Sequence, residues 1–86
     1  MMSNDPPGWA GSEAAFRAAG EGRHPSTTNV IRFFAWAHLR EDLQLVSKPV
    51  GTLALQMLEQ LPDGPELVVG LRHLLDAKDA FVRAAL

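Results

Sequence analysis

Pro62-Asp63-Gly64-Pro65 stands between two long segments in which apolar residues recur every three or four positions. Two prolines and a glycine so close together cannot continue a helix, so this stretch ends one helix and begins another. Before it, apolar residues fall at 39, 43, 46, 50, 53, 57 and 61, a narrow stripe along one helical face. After it, Leu67, Leu71, Leu74, Leu75, Val82 and Ala85 share a face; Pro65 suits a first helical position and Glu66 the first turn. Each helix is expected to run about 22 residues, or roughly 33 Å at 1.5 Å per residue. Equal helices joined by a short turn predict an antiparallel hairpin in an all-α protein. No strand pattern and no internal repeat competes with it.

Residues 1–27 read differently. "SNDPPGWAG" and "GEGRHPSTT" are rich in Pro, Gly and small polar residues and bury little apolar surface. Between them "SEAAFRAAG" predicts two helical turns, with Ser12 as N-cap, Gly20 past the end, and Trp9 and Phe16 as docking points. The expectation is a flexible arm that orders against a neighbour, followed by a hairpin domain at 28–86. Two helices cannot enclose a core alone, and Leu45, Leu55, Leu58, Val69 and the aromatic cluster need cover. Oligomerisation is the usual remedy at this size, so a homo-oligomer is expected.

Composition narrows the function classes. Eighty-six residues make one domain. There is no cysteine, which excludes disulfides and thiolate metal sites. A formal charge of −2 argues against DNA or RNA polymers as partners. No apolar run is long enough to span a membrane, and "MMSNDPPGWAGSE" lacks the basic start and apolar core of a secretory signal. A small, soluble, cytoplasmic protein is expected.

One residue is out of place. On a helical projection, Lys78 falls about 20° from Leu67, within the apolar stripe of the second helix. A buried ammonium needs a partner. Hairpin geometry sets Lys78 opposite Pro49, whose missing N–H leaves the Leu45 carbonyl free. Lys78 is then expected to donate to that carbonyl, to the Ser47 hydroxyl, or to an anionic ligand held between protomers. Other polar residues read as surface: Asp79 and Arg83 as an i,i+4 pair, Arg72, His73 and Asp76 as the outer face, Lys48 as solvated. Glu41 and Asp42 suit the dipole at the start of the first helix.

His24, His38 and His73 lack metal-ligand spacing. His38 lies between Phe33-Phe34-Ala35-Trp36 and a helix N-terminus, where anions are favoured. There is no Gly-rich phosphate loop, nucleophile elbow or Cys–His pair. No catalytic residue, metal or cofactor is assigned, and the chain is read as a non-enzyme.

The stretches "FFAWAHLREDLQLVSKPVGTLA" and "LPDGPELVVGLRHLLDAKDAFVRAAL" carry a resemblance. They resemble small bacteriophage proteins with an aromatic-x-aromatic-Ala-His-Leu-Pro segment and a Leu-Gln-x-x-Ser-x-Pro helix. The same proteins share a Pro-Asp-Gly-Pro-Glu turn and a Leu-Leu-Glu-Ala-Lys-Asp helix ending Val-Arg-Ala. That group is similar in layout to the helical-hairpin phage sponges that counter the cyclic-nucleotide immune systems CBASS and Thoeris. The resemblance covers residues 29–86. It implies a homo-oligomer, often a hexamer, that holds cyclic oligonucleotides between protomers in the host cytoplasm without cleaving them. Carried over by residue, it implies ligand contacts at Phe34, Trp36, His38, Gln44, Ser47, Lys78 and Arg83, with Leu39, Pro49 and Asp79 in the matching strings. Arg40 stands where the group has proline, Asp76 where it has glutamate, and His73 where lysine is usual, so a second basic contact is in question.

The chemistry is compatible with that reading. A cyclic di- or trinucleotide needs flat faces for its bases, with stacking worth about 1–3 kcal/mol per base. Phe34 and Trp36 are expected to supply the faces; His38, the helix N-terminus and Lys78 are expected to supply phosphate donors. The other reading of the same residues is a structural or protein-interaction hairpin whose aromatic segment binds a partner chain.

Overall fold

The computed structural model describes residues 8–86, with side chains from Ala10 onward, and every regular element among them is helical. A 3-10 turn (Gly8–Gly11) precedes α1 (Glu13–Ala19); α2 (Pro25–Ile31) runs on into a second 3-10 turn (Arg32–Phe34). The long helices are α3 (Glu41–Gln60) and α4 (Pro65–Ala85). Among the described residues, no helix is long and apolar enough to cross a membrane.

The short helices form where local chemistry allows. Ser12 Oγ accepts the Ala15 N–H at 3.1 Å and Gly20 ends α1, as the sequence predicts. Helix α2 was not expected, because its segment reads as a connector. His24 caps it by accepting the Ser26 N–H on Nδ1 at 3.1 Å, and Pro25 takes the first turn, where no N–H is needed.

From Gly11 on, the segment expected to be a flexible or partner-docked arm packs within the chain. Phe16 and Thr27 of that segment are each 0% exposed, and Val30 and Ile31, just beyond it, are buried with them. Burying apolar side chains such as Phe16, Val30 and Ile31 is worth about 1.5–3 kcal/mol each, enough to offset much of the cost of ordering two short helices. The docking role expected of the Trp9 side chain, and residues 1–7 of the arm, lie outside the described residues.

Helices α3 and α4 make the principal helix–helix contact, and the turn between them falls where Pro62-Asp63-Gly64-Pro65 predicts. α3 runs without interruption through Pro49. Its buried face, however, differs from the expected stripe. Leu43, Ser47, Gly51, Ala54 and Leu58 are buried, whereas Leu53 and Leu61 stay exposed. The stripe was read from large apolar residues, but the layer packed on α3 is itself large and needs small residues beneath it. On α4 the expected face holds as far as Lys78: Leu67, Leu71 and Lys78 are buried, with Leu74 and Leu75 packed at its edge, whereas Val82 is half-buried and Ala85 exposed near the end of the helix.

Candidate functional site

Trp36 organises the region. Its indole lies between Gly11 and Gly51: a Cβ on Gly51 would stand 2.7 Å from the six-membered ring and 2.8 Å from the Phe34 carbonyl oxygen, and a Cβ on Gly11 would overlap the five-membered ring. Phe16 meets the indole edge-on, with ring centres 5.6 Å apart and planes at 82°. Trp36 is 3% exposed and Phe34 0%. Neither presents the open face expected of a stacking platform. Both are core, because two glycines let backbone approach the indole closely enough to close over it. The signal in the sequence was those glycines, not the rings.

This packing also settles the partner of Lys78. In a continuing helix, the Phe33 carbonyl would accept from residue 36 or 37. Here the N–H groups of Trp36 and Ala37 both donate to the Gly11 carbonyl, at 2.8 and 3.0 Å. Lys78 Nζ donates to the Phe33 carbonyl instead, at 2.9 Å, and lies 3.9 Å from an Asp79 carboxylate oxygen. A backbone carbonyl was among the expected partners, but the one expected was that of Leu45. The 3-10 turn Arg32–Phe34 lies against both long helices and brings the Phe33 carbonyl to Lys78.

The remaining predicted residues divide. His38 is exposed and lines a cleft of about 310 Å³ with Glu13, Arg32, Phe33, Ala35 and Lys78. One chain therefore lines a single cleft with both His38 and Lys78. Arg32, absent from the sequence reading, stacks on the Phe33 ring at 4.8 Å, and that ring is 52% exposed. Glu13 is held at 2.7 Å by Arg17, which offsets its charge at the cleft mouth.

Gln44 has a local role: its amide nitrogen donates to the Leu39 carbonyl at 2.8 Å, bracing the entry to α3. Ser47 is fully buried, and its hydroxyl has no hydrogen-bond partner among the described residues. Arg83 is exposed in the last turn of α4 and is not part of the cleft lining. Among the described residues, no group of three His, Asp or Glu is placed to hold a metal ion.

At the other end of α4, Asp63 accepts the His24 N–H at 2.8 Å and the Thr27 hydroxyl at 3.0 Å, with Arg23 at 3.6 Å. The His24 N–H foremost, then the Thr27 hydroxyl and the Arg23 charge, hold its carboxyl below the usual carboxylate range. Arg23 also donates to the carbonyls of Leu58 and Leu61, the latter at 3.0 Å, capping the end of α3. This polar clasp borders a cleft of about 500 Å³, whose walls include Pro65, Val68, Val69 and Arg72.

What the Arg32–Phe33–His38–Lys78 cleft can do is bind an anion beside a flat group. It offers a guanidinium, an ammonium with unused N–H donors, an imidazole and a half-exposed ring. Compared with protein-family models, curated protein sequences and solved structures, the chain matches none.

Proposed function

We propose that this protein binds and sequesters a cyclic di- or trinucleotide without cleaving it, as a homo-oligomer built on an antiparallel α3–α4 hairpin. The observation that carries the reading is the meeting of Arg32, His38 and Lys78 around Phe33 in one cleft. Phosphate is met by fixed cations, and one base by the outer face of Phe33 or by the Arg32 plane. Buried Phe34 and Trp36 act indirectly in this scheme, by holding the Phe33 backbone against Lys78. At about 310 Å³ the cleft lies near the lower end of the roughly 300–1,000 Å³ usual for ligand sites. It suits one phosphate and its neighbouring base, leaving the rest of a cyclic ligand to a second copy.

The test is calorimetry against cyclic di- and trinucleotides, with Arg32→Ala and Lys78→Met compared as folded proteins. Each is expected to lose at least about tenfold in affinity, or about 1.4 kcal/mol. Heat denaturation is expected to release the nucleotide intact; cleaved nucleotide would make the protein an enzyme. Unchanged binding in both variants would move the site elsewhere.

A second reading, a helical module that binds a partner protein, is favoured by one observation. Leu45 is 77% exposed and Phe33, Phe81, Leu53, Leu61 and Val69 also face outward, large apolar side chains that a partner's surface would cover. Within the aromatic segment, the ring free to meet a partner is Phe33.

A further inference from the structure

The buried stripe of α4 is not its only apolar stripe. Gly70, Leu74, Ala77 and Phe81 recur at steps of four, three and four, and form a second seam about 70° round the helix from Leu67, Leu71 and Lys78. The elements packed on α4 use the first stripe and reach the second only at Leu74, which also packs at the edge of the core. The second is left partly bare: Gly70 and Phe81 are exposed, Phe81 at 54%, and Leu74 and Ala77 are half-buried. A Cβ on Gly70 would meet no other part of the described chain within 4 Å.

We infer that this seam is a two-fold interface with α4 of a second copy, the two helices running antiparallel. In a two-fold contact, if one residue touches another, the reverse contact also forms. Antiparallel pairing in the register that sets Phe81 over Gly70 also sets Leu74 over Ala77, so each large residue meets a small one in both directions. The seam thus fits a copy of itself. Parallel pairing would set Phe81 against Phe81 and leave Gly70 facing Gly70. This matching of sizes is why a second copy, rather than an unrelated chain, is the occupant. Phe81 lies one helical turn from Lys78, so the second copy would border the basic cleft and extend it. The inference rests on the self-assembly part of the reading above and not on its ligand.

Gly70→Leu separates the possibilities, because the single chain has room for the side chain and the paired seam does not. By light scattering at micromolar concentration, wild type is expected at an even multiple of the 9.4 kDa chain. Gly70→Leu is expected at a lower mass with an unchanged helical circular-dichroism spectrum. Gly70→Leu combined with Phe81→Ala, which exchanges large for small, should restore the wild-type mass. Because the chain has no cysteine, Leu74→Cys and Ala77→Cys report the direction of pairing. Mixed and oxidised, they should cross-link to each other, while each alone should cross-link little. A wild-type monomer, a Gly70→Leu protein of unchanged mass, or efficient cross-linking of Leu74→Cys with itself would overturn the interface. Cyclic-nucleotide binding is measured separately on each variant, so loss of the interface and loss of the ligand reading remain distinct results.

Discussion

The two ends of α4 are tied to the N-terminal half of the chain by opposite chemistry. At its start, a partly exposed carboxylate, Asp63, gathers the His24 N–H, the Thr27 hydroxyl and Arg23. Toward its other end, a buried ammonium, Lys78, makes one hydrogen bond to Phe33 beside a packed indole. The first tie is shared among several donors around a carboxylate in reach of water, so no single donor carries it. The second depends on shape: Lys78 has its partner because Trp36 sits between two glycines and diverts the local N–H groups to Gly11. Tolerance to substitution should differ accordingly.

The sharpest way to break the buried side is Trp36→Ala. Removing a core indole typically costs about 3–5 kcal/mol, a large share of the stability of so small a domain. Urea denaturation should show it, and a change under about 1 kcal/mol would mean that Trp36 is not the keystone described. Gly51→Val comes next. Its Cβ would press on the Trp36 ring and on the Phe34 backbone, which cannot swing aside, so a loss of about 1–3 kcal/mol is expected. An unchanged denaturation midpoint would show that α3 can move away from the aromatic layer.

Lys78→Met tests the tie itself. It keeps the length of the side chain but strips the Phe33 carbonyl of its donor, at a cost of about 1–2 kcal/mol. A neutral or stabilising result would mean that the ammonium was poorly satisfied to begin with. The exposed tie should respond least. Asp63→Asn is expected to lower stability modestly at neutral pH, with the sign set by linkage. The folded-state pKa lies below the unfolded value, so the contribution is present above about pH 4 and is lost as pH falls through the folded-state pKa. Wild type and Asp63→Asn should therefore converge in acid. A gap that stays constant down to the lowest pH at which both fold would show that the charge of Asp63 is not what holds the turn.

What could be read before folding was whatever depends on neighbours along the chain. The Ser12 and Gly20 boundaries of α1, the turn at Pro62–Pro65 and the α4 stripe with Lys78 inside it are all local patterns. Each is set by backbone sterics or by a 3.6-residue period, and the sequence carries both in full. Helix α2 was legible in principle, since His24-Pro25 is a competent start, but the surrounding Gly and Ser residues hid it.

Tertiary structure alone decided which apolar residues would be core and which would be surface. Of the expected stripe on α3 only Leu43 is buried, and the interior is shared with Ser47, Gly51, Ala54 and Leu58, because close approach by Trp36 at Gly51 favours small side chains over large ones. The same layer buried Phe34 and Trp36, left Phe33 outside, and set Arg32, His38 and Lys78 along one cleft. No period in the sequence encodes that meeting. It depends on where a 3-10 turn lands on two helices, and that is fixed by packing between residues as many as 45 positions apart.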